Sequence, residues 1–209
     1  MSSVDGRLID SRWTSPYQAE HGELLKVYSA IGKELDTDAW MFGKNTLRAL
    51  FPYKFGITGH GISPDTPTLF VGERRSARLF IACDPEGDLY FTSTTVRGDN
   101  ILVIVGRNVT EEYLAHLREL RISYVIVSDA TRLREGLETV GRAFGICCIS
   151  VQGGGILNGA LLAERRIESG GLSRHRRAVR CSFNFRVCGW KDRTSGERAT
   201  PATALRFAA

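Results

Sequence analysis

The chain alternates continuous apolar runs with polar, turn-forming segments, and the apolar runs predict its strands. The four main runs contain no charged residue: Leu79–Cys83, Ile101–Val105, Tyr124–Val127 and Ile146–Val151. Two shorter runs, 39–42 and 89–91, predict short additional strands. Because strands of continuously apolar sequence are covered on both faces, this pattern favours a mostly parallel sheet.

Between the strands, apolar residues recur at helical spacing. Helices are predicted over 23–35, 44–50, 110–120, 133–144 and from Ile156 onward. Thr110 is the expected N-cap of its helix. Six Gly and Pro residues over 53–76 predict a long surface loop. Strands alternating with helices predict an α/β fold with a mostly parallel central sheet and helices on both faces.

Three glycines follow predicted strands and precede polar or helical segments: Gly43, Gly106 and Gly153. In an open parallel sheet, ligands bind beyond the carboxyl ends of the strands. We therefore expect these glycines to meet at one edge of the sheet and to mark a nucleotide site.

The turns at those glycines carry groups suited to phosphate. Gly43-Lys44-Asn45-Thr46 offers helix N-terminal amides and a hydroxyl, and Arg107 can bind a phosphate bidentately. The run Gly153-Gly154-Gly155 lets backbone amides approach a pyrophosphate closely. For the glycine run alone, a tight turn without a ligand is about equally expected. The Gly-x-Gly-x-x-Gly spacing of the Rossmann dinucleotide fold is absent.

Charge divides the chain into two parts. Of the net charge of +5, residues 164–198 contribute +6, from ten basic and four acidic side chains. Residues 168–198 show neither sustained alternation nor a helical stripe, so a basic disordered segment is the preferred interpretation. An RNA-contacting segment with Phe183, Phe185 and Trp190 as stacking residues is the alternative. We expect nucleic acid not to be the partner.

Other composition features restrict the location and the chemistry. Five cysteines without zinc-type spacing favour a reducing compartment, and no apolar run is long enough for a membrane span. A cytoplasmic protein without a membrane partner is therefore expected. The four histidines show neither metal-ligand nor catalytic-triad spacing, so no metal site is predicted.

Three segments in this order resemble one known family. They are Ser3-Val4-Asp5-Gly6-Arg7-Leu8, the strand and turn from Ala39 to Thr46, and the segment Gly153-Gly154-Gly155-Ile156-Leu157-Asn158-Gly159-Ala160-Leu161-Leu162. The resemblance is to the reductase domain of riboflavin biosynthesis, the C-terminal half of the bifunctional deaminase/reductase, which has a dihydrofolate-reductase-like fold. It covers residues 1–167 as one domain. Residues 168–209 form an atypical basic C-terminal segment.

The resemblance implies an oxidoreductase that uses NADPH to reduce a phosphoribosylamino-pyrimidine to the ribitylamino form, and it implies a homodimer. The residues implied to contact the cofactor are Gly43, Lys44, Asn45, Thr46, Gly106, Arg107, Gly153, Gly154, Gly155 and Ile156. Gly106 and Arg107 would lie near the adenosine 2′-phosphate. Lys44 stands where the family usually has arginine, which keeps the charge but loses the planar fork.

On the substrate side, the resemblance implies Ser3, Asp5 and Asn158. Asp5 is the candidate catalytic residue, which would orient or protonate the opened sugar. An Asx turn before Gly6 explains Asp5 equally well. Asn158 would either face the substrate or cap the helix. The alternative function is a catalytically impaired nucleotide-binding relative with a basic C-terminal segment that contacts nucleic acid.

Overall fold

A computed structural model describes residues 37–48, 51, 61–74, 76–128, 133–152, 155–164, 169–172 and 183–188. Its strands are β1 Ala39–Gly43, β2 Leu69–Phe70, β3 Leu79–Cys83, β4 Thr95–Val96, β5 Asp99–Gly106, β6 Ser123–Val127, β7 Cys148–Val151, β8 Ser169–Leu172 and β9 Phe183–Cys188. Its helices, numbered within these ranges, are α1 Lys44–Leu47, α2 Glu111–Glu119, α3 Leu133–Phe144 and α4 Gly155–Ala163.

One sheet contains all the strands of the described residues, in the order β2-β6-β5-β3-β1-β7-β9-β8, with β4 paired to β5. The five central strands, β6, β5, β3, β1 and β7, are parallel neighbours. The outer strands pair antiparallel, β2 with β6 at one side and β9 with β7 at the other. The predicted α/β class with a mostly parallel central sheet is confirmed.

Helices cover both faces of this sheet, as predicted. On one face, Leu137 of α3 and Leu161 of α4 pack in a buried cluster with Met41 of β1. On the other face, Leu114 of α2 packs in a second cluster with Phe80 of β3. Because neighbouring strand residues point to opposite faces, β1, β3, β5 and β6 each contribute to both cores, whereas β7 contributes Ile149 and Val151 to the first core alone.

Local sequence signals explain where the helices begin and end. At the start of α2, the Thr110 hydroxyl accepts a hydrogen bond from the Tyr113 amide at 3.2 Å, so the predicted N-cap is confirmed. At the end of α3, Gly145 adopts a φ of 66°, the left-handed conformation that closes helices and favours glycine. Both β3 and α3 have the predicted bounds.

Two expectations between β1 and β5 need correction. The predicted loop over 53–76 contains β2, because its Leu69 and Phe70 pair with the exposed edge of β6. The predicted strand over 89–91 is reduced, in the described residues, to a single bridge residue at Leu89. Leu89 and Phe91 are fully buried in the cluster beneath α2. Their apolar character therefore reflects packing of this connecting segment into the core.

The expectation of a disordered segment over 168–198 is wrong for two parts of it. The described backbone forms β8 and β9, and β9 pairs antiparallel with β7. The physical reason is visible in Phe183–Cys188, where apolar and polar residues alternate with the period of a strand. This pairing satisfies backbone groups of β7 that would otherwise form an open edge.

The predicted helix over 23–35 lies outside the described residues. Among the residues that are described, no helix combines the length and the apolar character needed to cross a membrane.

Candidate functional site

The order of the strands creates a crevice between β1 and β7. Among the parallel strands, the chain goes from β1 to its neighbour β3 and then outward to β5 and β6, whereas β7 returns to the opposite side of β1. Ligands of open α/β sheets bind at such a switch point, beyond the carboxyl ends of the strands. The Gln152 amide donates to the Met41 carbonyl at 2.7 Å, so the two strands remain paired up to this crevice.

Helix α1 begins directly at the end of β1. Its N-cap is Gly43, with extended φ and ψ of −81° and 153°, and no side chain caps the helix. Asn45 is exposed and Thr46 is half-buried. The first turn therefore presents backbone amides and a hydroxyl at the carboxyl edge, and a phosphate contact there stays a prediction.

Helix α4 begins at Gly155 on the other side of the crevice, and it packs on the opposite face of the sheet from α1. A methyl group on Gly155 would meet no atom of the described residues within 4 Å, so the space beside this helix start is open on their side. Ile156 is 79% exposed, while Leu157 is buried against the sheet. The other two glycines of the run, Gly153 and Gly154, lie outside the described residues.

Asn158 lies in the first turn of α4 rather than at the position before the helix, so it is not the N-cap. Its Oδ1 atom is buried and, within the described ranges, accepts no hydrogen bond. A buried acceptor without a donor is uncommon and unfavourable in folded proteins. Of the two predicted roles of Asn158, this geometry favours contact with a ligand.

The end of β5 differs from its prediction. The Gly106 amide donates to the Pro85 carbonyl at 3.0 Å, and a Cβ at Gly106 would lie 2.9 Å from that oxygen. The glycine is therefore required for a close backbone approach, and its amide is not available to a phosphate. Arg107 is exposed, and its guanidinium makes no hydrogen bond or ion pair with other described residues.

An acidic loop, defined here as residues 84–88, follows β3 and lies between the turns at Gly43 and Gly106. The Lys44 ammonium donates to Glu86 and to Asp88, the latter at 2.7 Å. Arg48 lies 3.4 Å from the same Asp88 carboxylate. The charge of Lys44, predicted to bind a cofactor phosphate, is therefore already neutralised by two carboxylates.

The ionisation of Lys44 reflects this environment. Partial burial alone would lower its pKa, but hydrogen bonds and charges from Asp88 and Glu86 outweigh this effect, so the pKa is raised. Lys44 therefore stays protonated at neutral pH. An anionic ligand that binds it would have to displace the carboxylates of the acidic loop.

Asp84 anchors the acidic loop in the protein interior. One carboxylate oxygen accepts hydrogen bonds from the Leu89 amide and the Tyr113 hydroxyl, both at 2.8 Å. The other oxygen is buried without a partner among the described residues. Burial raises the pKa of the Asp84 carboxyl, although the hydrogen bonds from Leu89 and Tyr113 oppose this. Burial, together with the nearby Asp84 charge, raises the pKa of Tyr113 well above its usual 10.0.

Ligand atoms of Asp84, Glu86 and Asp88 lie within 4.8 Å of one another, a spacing that could hold a metal ion. The Lys44 ammonium already donates to two of these three carboxylates. Lys44 therefore already supplies positive charge to this group of carboxylates.

Sequence reasoning missed the acidic loop as part of the site. Its signal was the density of acids directly after β3, but only the order of the strands places these acids beside Lys44. Conversely, two predicted substrate residues, Ser3 and Asp5, lie outside the described residues.

Comparison with known proteins finds no family model that matches the chain and no curated protein with significant similarity to it.

Proposed function

We propose that this chain is an NADPH-dependent reductase with a dihydrofolate-reductase-like fold that acts on a phosphoribosylamino-pyrimidine of riboflavin biosynthesis or a related small phosphorylated substrate. The observation that carries the proposal is the crevice between β1 and β7, where two helices begin on opposite faces of the sheet. A dinucleotide needs a site of this kind, in which backbone amides meet its phosphates.

The residues around the crevice suit the parts of such a cofactor. The amides at the start of α1 and the open space beside Gly155 would receive the pyrophosphate. Arg107, directly after β5 and two strands away, would pair with the 2′-phosphate, at a distance of roughly 10 Å from β1 by strand spacing. When bound, the nicotinamide supplies the hydride for the reduction.

The remaining roles belong to the substrate side. The unpaired Asn158 oxygen would accept a hydrogen bond from a hydroxyl or amino group of the substrate. Asp5, by its resemblance to the family motif, would orient or protonate the opened sugar. A cytoplasmic homodimer completes the proposal, as in the family that the sequence resembles.

One observation favours a second candidate function. The ion pairs of Lys44 with Glu86 and Asp88 place two carboxylates beside the proposed phosphate site, where they repel a dinucleotide. A nucleotide-binding relative with impaired catalysis would keep the crevice but bind NADPH weakly.

Titration of the full chain with NADPH and NADH, followed by reduced-nicotinamide fluorescence, tests these functions. The reductase proposal predicts saturable binding with preference for NADPH, and oxidation of bound NADPH when the pyrimidine substrate is added. Binding without oxidation would favour the impaired relative. If neither nucleotide bound, both candidate functions would be rejected.

The variant Arg107→Ala separates recognition of the 2′-phosphate from general binding. It should weaken NADPH roughly tenfold or more, with little effect on NADH, because a lost charged hydrogen bond contributes about 1.5–3 kcal/mol. The matched control is Arg142→Ala, an exposed arginine in the last turn of α3 at the opposite edge of the sheet. Equal weakening of NADPH by both variants would argue against a 2′-phosphate site at Arg107.

A further inference from the structure

Two cysteines occupy directly opposed positions on neighbouring strands. In the antiparallel pairing of β7 with β9, Cys148 is the register partner of Cys188. Position 148 opens β7 and position 188 closes β9, so the pair lies at the amino edge of the sheet, away from the proposed nucleotide crevice. Neither cysteine has a role in the proposed function.

The backbone geometry of this pair suits a disulfide. Directly opposed residues of an antiparallel pair have Cα atoms about 4.5 or 5.5 Å apart, depending on the type of pair, and both lie on one face of the sheet. A disulfide accommodates Cα separations of about 4.4–6.8 Å. Both types of pair therefore meet the distance requirement without backbone movement.

The other described cysteines are poorly placed to compete. Cys83 lies on β3, two strands from β7, which is about 10 Å across the sheet and beyond the reach of a disulfide. Burial also raises the pKa of the Cys83 thiol, which leaves it unreactive. Cys147 precedes β7 and is half-buried, with its Sγ 3.9 Å from the Gly145 carbonyl oxygen.

We propose that Cys148 and Cys188 form a reversible disulfide that fastens the β8–β9 hairpin to the parallel sheet. With glutathione disulfide as the oxidant, one cysteine thiolate attacks a glutathione sulfur and releases one glutathione thiol. The second cysteine then attacks the mixed disulfide and releases the other glutathione. The two protein thiols lose two electrons and two protons, and one glutathione disulfide becomes two glutathione molecules.

Access to the pair comes from opening of the hairpin. Cys148 is only 6% exposed in the folded chain, so a large oxidant reaches it when β9 separates from β7. Edge elements open more readily than the central strands of a sheet. The crosslink therefore forms slowly, and once formed it keeps β9 in place.

Mass spectrometry of the full chain, incubated with glutathione disulfide and then digested, tests the proposal. We expect the intact protein to lose the mass of two hydrogen atoms and the digest to contain a peptide joining Cys148 to Cys188. Dithiothreitol should reverse both changes. The oxidised protein should unfold at a higher temperature than the reduced protein, because the crosslink restricts the unfolded chain.

Two variants make the result specific. Cys188→Ser should abolish the crosslink and leave only mixed disulfides with glutathione, whereas Cys147→Ser should leave the crosslink intact. A crosslink through Cys147, Cys83 or Cys181 instead, assigned by fragmentation of the joined peptide, would overturn the proposal. So would retention of both thiols at Cys148 and Cys188 after oxidation of the folded chain.

Discussion

The Tyr113 hydroxyl donates a hydrogen bond of 2.8 Å to the buried carboxylate of Asp84. This contact joins the first turn of α2, the helix that follows β5, to the acidic loop after β3. The position of the loop therefore depends on the position of α2. Gly87 makes the approach possible, since a Cβ there would lie 2.8 Å from the Tyr113 ring.

Replacing Tyr113 with phenylalanine should destabilise the fold by about 1–3 kcal/mol, because it leaves a buried carboxylate with one hydrogen bond fewer. Urea unfolding followed by circular dichroism measures the change. The control is Tyr124→Phe, whose hydroxyl accepts from the partly exposed Arg118 and should therefore matter less. Equal losses for the two variants would argue against an energetic role for the Asp84 contact.

Stability should fall at alkaline pH because of Tyr113. Its pKa is raised in the folded chain, so the unfolded chain loses the phenol proton first, near its usual pKa of 10.0. The stabilising contribution is therefore complete below about pH 10 and is lost as the pH rises toward the folded pKa. Thermal unfolding between about pH 8.5 and 11 measures this decline. The decline should be shallower in Tyr113→Phe, and an unchanged pH profile in that variant would contradict the assignment.

Removing the acidic partners of Lys44 should strengthen anion binding at the carboxyl edge. The double variant Glu86→Gln, Asp88→Asn releases the ammonium and removes two negative charges, so NADPH should bind about twofold to fivefold more tightly, in line with about 1 kcal/mol for partly exposed pairs. Fluorescence titration at low salt measures the affinity. Glu138→Gln, which removes an exposed ion pair with Arg134 on α3, should leave it unchanged. Weaker binding by the double variant would show that the carboxylates assist the ligand.

A methyl group at Gly106 should destabilise the chain by about 1–3 kcal/mol, because it meets the Pro85 carbonyl oxygen at 2.9 Å and the backbone must shift. Gly159→Ala is a control of opposite sign. Gly159 lies on the exposed side of α4, and among the described residues no atom lies within 4 Å of the new Cβ, so the substitution should stabilise the chain by up to about 1 kcal/mol. Differential scanning calorimetry measures both changes. A neutral Gly106→Ala would show that this turn can widen without cost.

Asn158→Leu should separate stability from binding. Removing the buried, unpaired oxygen should leave the fold as stable or more stable by about 1 kcal/mol, while it removes an acceptor proposed to hold the substrate. Thermal unfolding and substrate-dependent NADPH oxidation report on the two effects. A variant that loses stability would indicate that the oxygen has a structural partner.

The sequence predicted those parts of the fold that are set by local pattern. The apolar run at Leu79–Cys83 is continuous, and the apolar residues of Leu133–Phe144 recur at helical spacing. Clear turn residues flank both segments, so their bounds followed directly. The two-residue strands β2 and β4 are too short to carry a periodic signal, and they form only because a neighbouring strand offers them backbone partners. The alternation in β9 was present in the sequence, but the surrounding arginines obscured it.

In the candidate site, too, local features could be predicted and contacts between distant segments could not. That glycines follow the strands is a local property, and the parallel pattern was enough to predict a shared edge. The partners of Lys44 could not be predicted in this way, because they are more than 40 residues away and are adjacent only through the order β3-β1. The use of the Gly106 amide by Pro85 likewise depends on how two loops meet.

The burial of Leu89 and Phe91 has a consequence for the rate of anion binding at the carboxyl edge. Together with Asp84, these side chains hold the acidic loop at both of its ends, so the loop itself has little freedom to withdraw. An arriving phosphate would therefore exchange partners with Lys44 through rotation of the lysine side chain alone. Such rotations take picoseconds to nanoseconds in exposed side chains, whereas loop rearrangements extend to microseconds. Because the Lys44 side chain is only 16% exposed and is bound to two carboxylates, capture of an anion here would be limited by release of these ion pairs rather than by movement of the loop.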